Sequence, residues 1–292
     1  MRRIIPAETA TKDLHQFLVG SVAPRPIALV STVDENGQPN LAPYSFFNAF
    51  SSNPPILVFS SNRRVSNNTT KDTLSNVFAT REVVINMVNH DIVRQMAVTS
   101  VEFPTEVNEF EKAGLHAVPS ELVKPFRVQE SPVHMECQVK DIITLGDHGG
   151  AGHLIICEVV MMHIAENVID SNNRIDPHKL DLMGRLGRAY YVRASGESVS
   201  PIVQSVIELT IGFDQLPEAI QNSTVLRGND LGLLAGLHAK PSEDEINAAK
   251  SDPEVMKAMK ADNPTEALHG YIRILLENPK DNLKKAAAIA WL

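Results

Sequence analysis

The chain has 292 residues, of which 43% are hydrophobic, and its formal net charge at pH 7 is −8. This length and hydrophobic content are enough for one large folded domain or two smaller ones. The negative charge argues against a general nucleic-acid surface or an anionic membrane as partner.

The N-terminus and the cysteines indicate a cytoplasmic protein. No apolar signal core follows Arg2 and Arg3 before Glu8, so secretion is not expected. Cys137 and Cys157 are the only cysteines. Two distant thiols form neither a disulfide framework nor a zinc knuckle, which suits a reducing compartment.

Short β-branched segments separated by turns predict a mainly β domain from about residue 25 to residue 193. Residues 25–33 predict a first strand, and the Asn-Gly step within residues 34–37 predicts a hairpin, because it supplies positive φ values. The return strand begins at residues 40–45. The remaining predicted strands are residues 55–61, 82–88, 133–145 and 153–164, and the predicted short helices are residues 71–79 and 90–99. Mostly antiparallel strands with few helices favour a closed or nearly closed barrel.

Two details refine the second half of this domain. Residues 133–145 and 153–164 are separated by a glycine-rich loop and predict one long hairpin. The apolar run at residues 154–165 is too short to cross a bilayer and carries Glu158, so it predicts a buried strand and no membrane contact.

Beyond residue 195 the sequence changes to helix-start signals. Ser242 and Glu245 have the spacing of a capping box. Three steps combine a capping residue with a first-turn proline: Asp252-Pro253, Asn263-Pro264 and Asn278-Pro279. One apolar helical face consists of Leu268, Tyr271, Ile272, Leu275 and Leu276. We therefore predict two domains, a mainly β domain of residues 1–195 and an all-helical extension of residues 196–292.

A polar stretch at residues 60–73 is a candidate phosphate site. It combines hydroxyls and amides with Arg63, Arg64 and Lys71 directly before a predicted helix. A phosphate requires hydrogen-bond donors, positive charge and preferably the free amides of a helix N-terminus. The alternative is a polar surface loop whose helix is capped by Thr70 or Asp72, and composition alone leaves this alternative open.

A second stretch, residues 40–48, is a candidate site for a planar ligand. Pro43 removes an amide donor within an apparent strand, which implies an edge, a bulge or the end of the strand. Aromatic rings beside free backbone donors suit a planar heteroaromatic ligand. The alternative, which the pattern alone favours, is a kinked strand whose phenylalanines fill the core.

Four motifs give the chain a resemblance to a known family. Residues 25–32 (RPIALVST), 37–45 (GQPNLAPYS), 54–55 (PP) and 71–73 (KDT) resemble, in order, the flavin reductase-like, FMN-binding split-barrel family that includes flavoredoxin. The resemblance continues more weakly through residues 152–159 to residues 185–190. It covers about the first two thirds of the chain and leaves the helical extension unaccounted for.

The resemblance implies an FMN-binding split β-barrel with short flanking helices, assembled as a homodimer with FMN at or near the subunit interface. It places the isoalloxazine against residues 40–45, with backbone amides facing the polar edge of the ring. The residues that it places around FMN are Arg25, Thr32, Asn40, Leu41, Ala42, Pro43, Tyr44, Ser45, Ser60, Ser61, Lys71 and Thr73. Within this set, Ser60, Ser61, Lys71 and Thr73 surround the phosphate.

Two further residues come from the same resemblance. His153 occupies a position from which family members offer a polar side chain to the flavin or the reductant, although a lone histidine that opens an apolar strand is often structural. Tyr190 is a candidate cofactor contact. Family members often have Arg-Leu-Gly-Gly before this tyrosine, whereas Arg188 replaces the second glycine here, so the local backbone path decides the role of Tyr190.

These features predict an FMN-binding flavin reductase. NADH or NADPH would act as a transient reductant, and electrons would pass to a second flavin, a partner monooxygenase or another acceptor. No metal site is expected, because the ten histidines are scattered. One alternative is an electron carrier like flavoredoxin, with tightly held FMN and no nicotinamide turnover. Another alternative is an interaction role in which the helical extension recruits a partner. The simplest explanation of the extension is a stability module that packs on its own barrel.

Overall fold

The computed structural model describes residues 1–202 and 208–292. The chain forms two compact units, Met1–Ser200 and Pro201–Leu292. Within the described residues, no helix has both the length and the apolar character needed to cross a membrane.

A seven-stranded antiparallel sheet forms the first unit. Its strands are β1 (Ala28–Val33), β2 (Pro39–Tyr44), β3 (Phe47–Ser52), β4 (Pro55–Asn62), β5 (Glu82–Met87), β8 (Val133–Thr144) and β9 (Gly152–Ile164). Their spatial order is β2-β1-β5-β8-β9-β4-β3. Two small sheets complete the β structure, one of β6 (Ala117–Val118) and β7 (Arg127–Val128), the other of β10 (Leu182–Arg185) and β11 (Tyr191–Ala194).

The sheet is curled into a nearly closed barrel. β2 and β3 lie at opposite edges, yet only Ser45 and Phe46 connect them. A flat sheet of seven strands would separate its edges by about 29 Å, whereas the connection from Tyr44 to Phe47 reaches at most roughly 11 Å. The edges therefore approach each other, and the Tyr44 and Phe59 rings meet at 5.0 Å between their centroids. This confirms the predicted barrel architecture.

The predicted strands are all present, with small shifts at their ends. The hairpin between β1 and β2 turns at Gly37, which takes a φ of 84°. β8 and β9 form the predicted long hairpin. The prediction of a buried strand at residues 154–165 is only half right, because β9 alternates buried and partly exposed side chains. The exposed side belongs to an antiparallel sheet with one solvated face.

Five helices accompany the barrel. They are α1 (Thr11–Ser21), α2 (Asp72–Thr80), α3 (Val93–Val98), α4 (Glu109–Ala113) and α5 (Pro177–Leu180). α2 and α3 fall within the predicted segments. α1 and β3 were not predicted, and α1 buries no residue completely. Lys71 occupies the N-cap position of α2 without a side-chain capping bond, so neither Thr70 nor Asp72 caps this helix.

The described residues of the second unit form helices and no strand, which confirms the predicted helical extension. Its helices are α6 (Glu218–Gln221), α7 (Gly228–Ala235), α8 (Glu243–Lys250), α9 (Pro253–Ala258), α10 (Pro264–Leu276) and α11 (Pro279–Ala290). Ser242 and Glu245 form the predicted capping box, and the Asp252 and Asn263 side chains cap α9 and α10. Asn278 does not cap α11 through its side chain, contrary to prediction.

The predicted apolar face of α10 lies in the core of this second unit. Ile272, Leu275 and Leu276 are buried there, and Leu268 and Tyr271 pack against them. The alanines at the end of α11 share the same core. This unit therefore has a hydrophobic core of its own.

Candidate functional site

A cavity of about 560 Å³ opens on the outer surface of the barrel. Its apolar wall includes the rings of Phe46, Phe47 and Phe50, and α1 contributes Leu14 and Leu18. We call it the aromatic cavity. Its volume lies within the range of roughly 300–1,000 Å³ that small-molecule sites occupy.

The aromatic cavity joins the two stretches that the sequence singled out. Ser45, at the end of the kinked strand, and Ser60, in the polar stretch, both line it. The Ser60 amide donates to the Phe46 carbonyl oxygen at 2.8 Å, which fixes the two segments side by side. The polar stretch and the kinked strand therefore lie side by side and share this cavity.

Strand alternation separates the two neighbouring serines of β4. Leu57 and Phe59 face the barrel core, whereas Val58 and Ser60 line the aromatic cavity. Successive side chains point to opposite faces of a strand, so Ser61 points inward and is only 1% exposed. Of the two predicted phosphate serines, only Ser60 reaches this cavity.

Three of the predicted cofactor residues bond to one another inside the barrel. The Asn40 amide nitrogen donates to Thr32 Oγ1 at 3.1 Å and to Thr73 Oγ1 at 2.9 Å. Asn76, which the sequence did not single out, donates to Thr32 Oγ1 at 3.0 Å. These bonds fasten the first turns of α2 to β1 and β2, and all four residues are buried. None of them lines the aromatic cavity.

Tyr44 Oη, Ser61 Oγ and His153 Nε2 face inward, are buried and have no hydrogen bond of ordinary geometry among the described residues, although the nearby hydroxyls of Thr73 and Ser61 partly offset the effect of burial on the pKa of Tyr44. Ser61 and His153 face each other across β4 and β9. His153 Nδ1 lies 3.1 Å from the Thr144 hydroxyl. Buried polar atoms normally find partners, so this cluster has unused capacity for a water molecule or a ligand group.

Burial sets the protonation of this inner cluster. It raises the pKa of Tyr44 to about 12 and lowers the pKa of His153, with a smaller effect from the charge of Arg63. Both groups are therefore neutral near pH 7. The structure places His153 inside the barrel, and its side chain does not line the aromatic cavity.

Lys71 lies beside the kinked strand. Its Nζ donates to the Pro43 carbonyl oxygen at 3.4 Å and stands 4.7 Å from the centre of the Tyr44 ring. Burial, followed by the neighbouring charge of Arg64, lowers the pKa of Lys71 to about 8. The polar stretch thus brings a readily titrated cation to the end of β2.

The backbone of β2 is less free than the sequence suggested. β2 is an edge strand, which is one of the three explanations that Pro43 left open, but the Leu41 amide donates to Glu109 Oε2 at 3.1 Å. Pro43 has no amide hydrogen, and Ala42 pairs with Val30 of β1. Glu109 comes from α4, and no local signal in the sequence connects it with β2.

Arg25 forms part of the cavity wall and also holds α1. Its guanidinium donates to the carbonyl oxygens of Val19, Val22 and Leu186 and lies over the Phe46 ring at 5.9 Å. Burial and the charge of Arg185 lower the pKa of Arg25. Most of its donors are therefore used by main-chain oxygens.

Arg188 keeps the backbone conformation that glycine favours, with a φ of 56°. The arginine that replaces the second glycine of the motif therefore still adopts the left-handed backbone conformation. The Tyr190 side chain is 64% exposed and does not line the aromatic cavity.

Several lining residues were not among the predicted site residues. They are His15 and Leu18 of α1, and Phe46, Phe47, Asn48, Phe50 and Asn62 of the β2–β4 region. An apolar pattern at Leu14, Phe17 and Leu18 is the signal that would have revealed α1. In the described part of the chain, no group of His, Cys, Asp or Glu side chains is placed to hold a metal ion, and both cysteines are buried free thiols.

Comparisons with known proteins agree with this fold. The family model of the flavin reductase like domain matches residues 20–179. An uncharacterized protein of Aquifex aeolicus is 41% identical over 190 residues, which are 65% of this chain and 94% of that protein.

Two solved structures also resemble the chain. Nitrilotriacetate monooxygenase component B from Bacillus cereus is 33% identical, with a TM-score of 0.64 over 69% of this chain and 98% of the other. The 2-nitrobenzoate 2-nitroreductase of Pseudomonas fluorescens is 29% identical, with a TM-score of 0.60 over 71% of this chain and 99% of the other.

Proposed function

Because the chain belongs to the flavin reductase like domain family, we propose that it is an oxidoreductase that binds FMN and reduces it with NADH or NADPH. The observation that carries this proposal is the aromatic cavity, which the end of the kinked strand and the polar stretch both line. A flavin needs a flat apolar surface for its rings and polar donors for its edge and its phosphate.

The residues present fit FMN. Phe46 and Phe50 offer ring surfaces, while Ser45, Ser60 and Asn62 supply polar atoms to the same cavity. A Cβ on Gly152 would stand 2.5 Å from Ser60 Oγ, so the glycine leaves room for this hydroxyl at the cavity wall. Lys71 does not line this cavity; we assign it to the phosphate because its Nζ lies beside Pro43, at the end of the kinked strand.

The remaining predicted residues take indirect roles in this proposal. Thr32, Asn40 and Thr73 hold α2 and therefore Lys71 in position. Tyr44, Ser61 and His153 provide unused hydrogen-bonding atoms behind the kinked strand. Tyr190 is a contact only if its exposed ring meets the ligand or a second subunit.

FMN, when bound, would supply the redox chemistry, as the group to which a reduced nicotinamide could transfer a hydride. The protein binds the ring, orients one face towards the reductant and limits access of water. The hydride step itself requires no side chain to act as acid or base, which is consistent with a neutral His153 that lies inside the barrel.

A homodimer is part of the proposal. Large apolar side chains that line the aromatic cavity are exposed in a single chain, notably Leu18, Val22, Phe50 and Leu145, with Phe50 at 68%. Contiguous apolar patches of this kind mark interfaces. Light scattering after gel filtration should give twice the mass of one chain, and Phe50→Asp should give a single chain.

A partner monooxygenase is the proposed acceptor of the electrons. The support is the similarity to a monooxygenase component B. An alternative acceptor is a nitroaromatic compound, since a second similar structure is a 2-nitrobenzoate nitroreductase.

The deciding experiment combines a spectrum with rapid mixing. The protein, purified and loaded with FMN, should show a flavin absorption band that NADH or NADPH bleaches in a stopped-flow instrument. A yellow protein that stays oxidised with both donors would refute the reductase proposal and favour a flavoredoxin-like carrier. A protein that takes up no FMN would refute both.

A further inference from the structure

A second cavity, of about 630 Å³, adjoins the aromatic cavity. Lys12 of α1 lines it together with Arg63, Arg64 and Ser66 of the polar stretch. We call it the cationic cavity. Its remaining lining residues, His15, Phe46, Asn62, Val65 and Gly150, line the aromatic cavity as well.

The charges in the cationic cavity are only partly neutralised. None of its lining residues is an aspartate or a glutamate. Arg64 is held by Thr69 and Thr70 and pairs with Glu102 at 3.1 Å. Arg63 uses Nε to reach the Asp147 carbonyl oxygen. In the described part of the chain, its two terminal nitrogens and the Lys12 ammonium have no hydrogen-bond partner.

From this geometry we infer that the cationic cavity binds a phosphate of the nicotinamide dinucleotide, separately from the phosphate of FMN. The inference rests on the proposed function. A dinucleotide carries a pyrophosphate, and NADPH carries a further 2′-phosphate. Arginine presents a planar pair of donors that matches phosphate oxygens.

The relation between the two cavities supports this assignment. Five residues line both cavities, so the cavities are adjacent, and a reductant whose nicotinamide lies in the aromatic cavity would have its phosphates close to the cationic one. FMN has a single phosphate, which the proposed function assigns to Lys71, whose ammonium donates to the Pro43 carbonyl oxygen. Lys71 does not line the cationic cavity.

The test uses the FMN-loaded full-length protein and three variants. Lys12→Gln and Arg63→Gln each remove one charge from the cationic cavity. Lys112→Gln removes the same charge from the exposed last turn of α4 and serves as the control. NADP⁺ and NAD⁺ are titrated calorimetrically against each protein, and FMN and riboflavin are titrated against the apoproteins.

We expect the first two variants to bind a nicotinamide dinucleotide about tenfold more weakly, the size of one lost charge-assisted contact. The affinity of these two variants for FMN should equal that of the wild type. The Lys112→Gln control should bind FMN and both dinucleotides as the wild type does. If the variants bind only NADP⁺ more weakly, the cationic cavity holds the 2′-phosphate. If they lose affinity for NADP⁺ and NAD⁺ equally, it holds the pyrophosphate.

Two results would overturn the inference. One is unchanged dinucleotide affinity in both variants, and the other is a weaker affinity for FMN but not for riboflavin, which would give the cavity to the FMN phosphate. Because NADP⁺ and NAD⁺ binding does not require turnover, failure of the reductase proposal would show separately, as absence of flavin bleaching in the wild-type protein.

Discussion

Lys71→Met is expected to weaken FMN binding and to remove most of its dependence on pH. The Lys71 ammonium lies 3.4 Å from the Pro43 carbonyl oxygen and above the Tyr44 ring. Methionine keeps much of the apolar stem but cannot donate to a phosphate. The variant therefore tests the charge with little change in packing.

The expected loss follows from the strength of a charge-assisted hydrogen bond. Such a bond to a phosphate contributes about 1–3 kcal/mol, which corresponds to roughly 5- to 150-fold in Kd. Riboflavin has no phosphate, so its affinity should be the same for the variant and the wild type. Lys71→Arg should retain most of the affinity for FMN.

The pH dependence has a definite sign. Burial lowers the pKa of Lys71 to about 8, so the lysine is mainly protonated at pH 7 and mainly neutral at pH 9. The phosphate of FMN is a dianion across this interval, because its second pKa is about 6. Wild-type affinity for FMN should therefore fall as the pH rises through 8, and the Lys71→Met variant should show a flat profile.

Quenching of flavin fluorescence on titration into apoprotein measures all these affinities. Lys112→Met, on the exposed surface of α4, is the matched control for the loss of one positive charge. If Lys71→Met folds normally and binds FMN as the wild type does, Lys71 does not contact the phosphate. A pH profile that riboflavin shares would also contradict the reasoning.

Three further substitutions test the supports of the site. Arg25→Ala removes the donors that hold α1 and should lower the free energy of unfolding by about 2–4 kcal/mol in urea denaturation; unchanged stability would contradict the role of Arg25. Glu109→Ala leaves the buried Leu41 amide without a partner and should cost about 1–3 kcal/mol, whereas Glu109→Gln retains an acceptor and should cost less. Equal stabilities of these two variants would refute that explanation. Gly152→Ala brings a Cβ to 2.5 Å from Ser60 Oγ, so it should destabilise the barrel by about 1–3 kcal/mol and weaken FMN binding. Wild-type stability and FMN affinity in this variant would show that Ser60 can move aside.

Local patterns in the sequence predicted the strands, the long hairpin and the capped helices of the second unit well. Turn residues and caps act over a few neighbouring positions, so both partners of a capping box such as Ser242 with Glu245 are visible in the sequence. Strand β3 was missed because its side chains are mostly exposed and therefore show no buried periodicity. Helix α1 was missed although Leu14, Phe17 and Leu18 form an apolar pattern, and none of its residues is fully buried.

The candidate site depended on the tertiary structure to a greater degree. Ser60 and Ser61 are neighbours with the same side chain, yet one lines the aromatic cavity and the other faces the barrel core. That difference depends on the register of β4 within the barrel, and a shift by one residue would exchange the two. Glu109 reaches the Leu41 amide from 68 residues away, a contact that no local pattern encodes.

The sequence alone therefore determined the family resemblance, the mainly β barrel, the helical extension and the two stretches that meet at the aromatic cavity. Only the tertiary structure decided which predicted residues line that cavity, which bond to one another inside the barrel, and how Lys71 comes to have a pKa of about 8. The physical reason is one of range. Turns, caps and strand periodicity arise between near neighbours in the chain, whereas burial, register and electrostatic environment arise from residues that folding brings together.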